Sequence, residues 1–215
     1  MALAALPRRD ETARIRLAEA GEVARPVTQA GDRALPVPGE LGEVIPVLRR
    51  GSVVAVEGGT GAGATSVALR LAAAATAAGE WAAAVELHGS LGGLAAAEAG
   101  VALERFAVVR RVPPARWAAV VAALLDGIGL VLAEVPHDAR AADARRLAAR
   151  ARERGVVLVG VDGWPAEAAL RVRAEGSEWR GLGRGTGLLA RRELKVSVER
   201  HGVPAHAVVP VERAG

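Results

Sequence analysis

The residues richest in chemistry lie in one glycine-rich run, Gly58-Gly59-Thr60-Gly61-Ala62-Gly63-Ala64-Thr65-Ser66. Against the phosphate-loop pattern G-x-x-x-x-G-K-[ST], Gly58, Gly63 and Thr65 match, and Ala64 stands where the lysine belongs. Gly58, Gly61 and Gly63 allow backbone N–H groups to turn inward, and a following helix offers its positive end to an anion. The Thr65 hydroxyl could hold a magnesium ion. Ala64 cannot supply the long cationic side chain that reaches the β- and γ-phosphates during transfer. An arginine there would have kept the charge. Three readings of the turn stay open: weak binding of a phosphate or nucleotide, a tight joint between strand and helix, or an anion site completed by an arginine from elsewhere or from a partner.

Composition narrows the remaining chemistry. The chain of 215 residues has no cysteine, so disulfides, thiolate chemistry and sulfur-ligated metals are excluded together. Its histidines, His88, His137, His201 and His206, show no ligand spacing with nearby carboxylates, and neither a metal nor a cofactor is expected. Phe106, Trp81, Trp117, Trp164 and Trp179 are the whole aromatic set, too few for rows of base-stacking platforms. Lys195 is the only lysine among 28 basic residues, a bias toward arginine that tempers the meaning of any single one. No signal-type or membrane-spanning segment is evident, and a cytoplasmic location is expected.

The elements that must position these residues alternate. Val53 to Val56 reads as a buried strand, Glu57 to Gly63 as the turn and Thr65 to Ala78 as a helix closed by Gly79. Further strands are expected at Trp81–Leu87, Phe106–Val109, Leu130–Val135 and Val156–Val161. Helices are expected at Leu91–Ala99, Ala115–Leu125 and Ala139–Arg154. Short, nearly continuous apolar strands between helices call for a mostly parallel sheet covered on both faces. From about Ala168 the rhythm changes. Ala168–Ala174, Leu188–Leu189, Leu194–Glu199 and Ala205–Val211 look like antiparallel strands extending the sheet. Leu35 to Val47 reads as an entrance loop and short helix. Residues 1–34 form a separate N-terminal region with a helix near Asp10–Ala20, and residues 35–215 form the α/β core. Trp117 belongs in that core, whereas Trp164 and Trp179 are expected to be partly exposed near strand ends.

The order of these motifs resembles the RecA recombinase core. Leu35-Pro36-Val37-Pro38 with Leu41-Gly42 and Leu48-Arg49-Arg50-Gly51 looks like the approach to its first nucleotide-binding strand. In that resemblance His88 falls where a catalytic glutamate is expected, with Glu86 in place of the usual aspartate two residues earlier. Glu134 falls where the Walker B-like strand Leu130-Val131-Leu132-Ala133 would end in an aspartate. Ala64, His88 and Glu134 depart together, so no ATP hydrolysis is expected. Among degenerate RecA relatives the chain resembles the ImuA-type proteins of actinobacteria, on motif order, the altered turn and Trp179-Arg180-Gly181-Leu182-Gly183. This implies a non-catalytic adaptor in SOS-linked mutagenesis and translesion synthesis. Its implied partner is an ImuB-like Y-family polymerase homologue, with an error-prone replicative-type polymerase associated indirectly. A divergent nucleotide-binding switch and a DNA-binding accessory protein are the alternatives.

Arg180, Arg184, Arg191 and Arg192, together with Trp179, are candidate DNA or partner contacts near the C-terminal glycines. Glu175, Glu178, Glu193 and Glu199 offset half the charge of this end, so a solvated edge is the competing reading. The N-terminal helix, with Ile15 and Leu17, would not be stable alone. It either docks on a neighbouring subunit, giving self-association, or packs across its own domain.

Overall fold

The computed structural model describes residues 34–180, 191–200 and 203–212. The chain divides into two compact units, Met1–Asp32 and Arg33–Gly215, of which the second contains everything described below. The helix expected at Asp10–Ala20 and the strand at Leu188–Leu189 lie outside the described residues.

Strands β3 (Val53–Gly58), β4 (Ala82–Val85), β5 (Phe106–Val109), β6 (Leu130–Glu134), β7 (Val157–Val161), β8 (Leu170–Arg180), β9 (Arg191–Arg200) and β10 (Val203–Glu212) form one sheet. Their order is β10-β9-β8-β3-β7-β6-β4-β5. Pairings from β5 to β8 are parallel, while β9 runs antiparallel to both β8 and β10. This is a mixed, mostly parallel sheet flanked by helices.

Side-chain alternation divides its core in two. Val54, Val56, Leu130, Leu132, Val157 and Val159 face α2 (Ala64–Ala77), and Val53, Ala55, Val131, Ala133 and Leu158 face α4 (Pro114–Leu124) and α5 (Ala141–Arg154). Ala72 to Ala75 of α2 are all buried, because this helix is covered on its outer side as well. The cover is a small unit of β1 (Ala34–Pro36), α1 (Leu41–Val44) and β2 (Val47–Arg49), joined by α3 (Gly93–Glu98). The entrance loop expected over Leu35–Val47 is therefore a two-stranded antiparallel hairpin around one helical turn. Leu35, Leu41, Ile45 and Leu48 turn inward from it. Pro114 starts α4 at a position where its missing N–H has no cost, and Gly155, at φ +68°, closes α5.

The C-terminal strands are longer than expected. Val172, Ala174, Leu194, Val196, Val198 and Val209 continue the α2-side core, while Arg171, Arg173, Lys195 and Glu199 line the opposite face. A register shift between Ala174 and Gly176 bends β8. Trp164 corrects the expectation of partial exposure: it is 3% exposed and tilted against Trp117, ring centroids 6.4 Å apart. Gly160 makes the room, since a β-carbon there would lie 2.7 Å from the Trp164 ring. No described helix is long and apolar enough to cross a membrane.

Candidate functional site

The parallel strands deliver their carboxyl ends to one edge, where open α/β sheets place their ligands. There Gly58 ends β3, Leu87 and His88 follow β4, Glu134 ends β6 and Asp162 follows β7. The turn after β3 lines a cleft of about 830 Å³, walled by Asp162, Gly163 and Arg192.

The turn has the shape its glycines imply. Gly61 and Gly63 adopt φ of +76° and +108°, and the Ala62 N–H bonds the Gly59 carbonyl at 2.9 Å. The first helical bond of α2 runs from Val67 N–H to the Gly63 carbonyl, 3.0 Å. Amides earlier in the helix have no intrahelical acceptor and point their positive end at the cleft. Thr65 is exposed on the cleft wall. Ala64 is only 7% exposed, and a β-carbon on Gly58 would lie 3.2 Å from its methyl. A buried methyl therefore occupies the position from which a phosphate-loop lysine would extend.

Two side chains of β9 close on the turn. Leu194 packs against Gly63, and Arg192 donates from Nη2 to the Gly61 carbonyl at 3.1 Å. Arg192, a candidate DNA or partner contact from the sequence, is brought by the structure to the turn. Of its companions, Trp179 and Arg180 lie on β8 and Arg191 on β9, with Trp179 opposite Arg192 and Arg180 opposite Arg191. Arg184 lies outside the described residues.

Glu134 and His88 are brought together. Glu134 accepts the N–H groups of Leu87 and His88, at 2.6 and 3.4 Å, and its other oxygen pairs with His88 Nδ1. The carboxylate thus ties the end of β4 to the end of β6, with its lone pairs directed at protein donors. Its hydrogen bond and charge raise the His88 pKa above the ordinary histidine value. Glu86 is committed elsewhere. It is 3% exposed, accepts the Leu91 N–H at 2.8 Å and pairs with Arg110 Nη1 at 2.9 Å, fastening the segment that leads into α3.

Asp162 is the site residue that motif matching passed over. It lines the turn cleft and a neighbouring recess of about 440 Å³ that contains His88, Glu134, His137 and Asp138. Its φ is +66°, a conformation that aspartate tolerates better than most residues. Partial burial, then the Glu134 charge, raise its pKa above the usual aspartate value, opposed by His88. The available signal was the Asp162-Gly163 pair directly after an apolar strand. Among the described residues no group of three or more His, Cys, Asp or Glu side chains is arranged to hold a metal ion.

Fold and site together define an α/β domain with a lysine-less glycine turn at the carboxyl edge of its sheet. The family model of the MT3502 N-terminal domain matches residues 43–166, more than half of the chain, and the chain belongs to that family. The match includes the glycine turn, His88, Glu134 and Asp162, and it ends before β8 and β9, so Leu194 and Arg192 lie beyond it. No curated protein matches the chain.

Proposed function

We propose that this protein is a non-catalytic RecA-like adaptor in SOS-linked translesion DNA synthesis, binding an ImuB-like Y-family polymerase homologue. The RecA-like part is supported by the sheet order. The turn strand β3 lies between β8 and β7, β7 separates it from the acid-bearing β6, and an antiparallel pair extends the sheet beyond β8. The observation that carries the non-catalytic part is Ala64, a buried methyl packed against Gly58 where a cation must reach. Glu134 adds to it, since its oxygens accept protein donors at the end of the strand. The pathway and the partner rest on the resemblance of the motif order and the altered turn to ImuA-type proteins. An error-prone replicative-type polymerase would then associate through the partner.

The test combines turnover and capture. Purified protein should hydrolyse ATP no faster than background and should retain a Y-family polymerase homologue from DNA-damaged cells. ATPase activity abolished by a Thr65 substitution would sink the reading, and failure to capture such a partner would remove its pathway.

Arg192 favours a second reading, a nucleotide-binding switch, because β9 brings a guanidinium to the cleft. Calorimetry with magnesium-ATP, with and without the partner, separates the two. Binding lost in Arg192→Ala selects the switch, and absence of binding in both conditions removes it.

A further inference from the structure

The strongest concentration of charge outside the cleft lies on α5. Residues 140–154 carry six arginines, Arg140, Arg145, Arg146, Arg150, Arg152 and Arg154, against Asp143 and Glu153. Only the stripe of Ala144, Leu147 and Ala151 is fully buried against the sheet. One flank is neutralised locally: Arg150 and Arg154 share Asp126, with Nε–O distances of 3.0 and 3.1 Å, and Arg146 lies 3.5 Å from Asp143. Arg140, Arg145 and Arg152 are exposed and make no ion pair among the described residues.

Asp143 in the first turn and Arg152 and Arg154 in the last suit the helix dipole, but the other arginines do not serve the helix. Arg140 stands at the N-cap, where the helix already presents positive charge. Arg146 with Arg150 and Arg150 with Arg154 are like-charge neighbours one turn apart, which repel.

We propose that the outward face of α5, centred on Arg145 and Arg152, contacts the phosphate backbone of a nucleic acid. Spacing supports that partner. Arg145 and Arg152 lie seven residues apart on one face, about 10.5 Å at 1.5 Å per residue. Over that length a duplex presents about three phosphates per strand. Guanidinium groups match phosphate oxygens in pairs, which suits backbone contact without base reading. The exposed positions between the arginines, Ala142 and Ala149, are small and allow close approach. They also supply none of the aromatic or large aliphatic anchors on which protein interfaces depend. This assignment goes beyond the adaptor reading and stands without it. It assigns the contact to residues other than Arg180 and Arg184.

The test is fluorescence anisotropy of labelled single-stranded and duplex oligonucleotides with the full chain, over a salt series. The double substitution Arg145→Glu/Arg152→Glu should weaken binding at low salt by at least about tenfold. It should also make the slope of log K against log salt shallower by about 1.4 to 1.8, the loss of two phosphate contacts. Arg145→Lys/Arg152→Lys keeps the charges and should retain most of the affinity, with far-UV circular dichroism confirming that both variants are folded. Unchanged affinity and slope in the glutamate variant overturn the assignment, as does loss of binding only in Arg180→Glu/Arg184→Glu. Displacement by poly-glutamate at equal charge concentration overturns it too, by showing a generic acid-binding face. The better-bound oligonucleotide identifies the preferred form of the backbone.

Discussion

The Leu194 side chain of β9 fills the space that a β-carbon on Gly63 would need, its Cδ2 lying 2.5 Å from that position. A residue far along the chain therefore sets the environment of the glycine turn, and Arg192, two residues earlier on the same strand face, bonds the Gly61 carbonyl. The turn is thus joined to the C-terminal strands as well as to its own helix.

Gly63→Ala meets both the φ of +108° and the Leu194 methyl, and is expected to cost about 3 kcal/mol in urea denaturation. Leu194→Ala alone should cost about 2–5 kcal/mol. Combined, the two should cost less than their sum by about 1 kcal/mol or more, because the small side chain at 194 relieves the clash. Strict additivity would show that the two residues are not in contact.

Ala64→Lys adds a long cation at a mostly buried position on the cleft lining and should lower stability by about 1–3 kcal/mol. It should restore no ATP turnover, since Glu134 remains tied to the Leu87 and His88 amides. Turnover rising above the wild-type background would contradict the non-catalytic reading proposed above.

The pH dependence has a definite sign. Asp162 has a raised pKa, so the folded state holds more protons than the unfolded one over a window opening near the ordinary aspartate value of 3.8. Its ionisation thus costs stability as pH rises through that window. Asp162→Asn keeps the shape, tolerates the φ of +66°, and should be at least as stable as wild type at neutral pH, the advantage vanishing in acid. His88 also has a raised pKa, so its stabilising contribution is complete below 6.5 and is lost as pH rises through the higher folded value. Denaturation across pH and an NMR titration of His88 measure both. The His88 pKa should fall in Asp162→Asn.

Glu86→Ala removes a buried acceptor of the Leu91 N–H and the partner of Arg110. The Arg110 side chain is half exposed and can be rehydrated, so a cost of about 2 kcal/mol is expected, below that for severing a fully buried pair. Hydrogen exchange should quicken at Leu91 and through α3 before the sheet is affected.

Gly160→Ala places a methyl against the Trp164 ring and should cost about 1–3 kcal/mol, with a change in tryptophan fluorescence. An unchanged emission spectrum would mean that Trp164 is not held between Gly160 and Trp117.

Much of the sheet was legible from local pattern. Val53–Val56, Leu130–Val135 and Val156–Val161 stand out because strands buried on both faces must be apolar throughout, and Phe106–Val109, a half-buried edge strand, is apolar as well. Gly79 marked the end of the helix expected at Thr65–Ala78, and α2 runs over Ala64–Ala77. The hairpin of β1 and β2 was hidden, since three-residue strands carry too little periodicity to separate from a loop. Trp164 was misplaced because its burial depends on the bare Gly160 in β7 and on Trp117 of α4. Neither relation has a trace in the spacing of neighbouring residues.

At the site the division is similar. By itself the sequence determined that the turn after β3 has glycines where positive φ is required and no cation at position 64, since both are properties of residue type. Only the tertiary structure decided what surrounds that turn. It set Leu194 on Gly63, brought Arg192 to Gly61, joined Glu134 to His88 and placed Asp162 beside all three. The physical reason is that strand order, and not chain order, sets these distances. β9 reaches the turn through β8, and β7 enters between β3 and β6, so partners distant in the chain become neighbours only when the sheet is assembled.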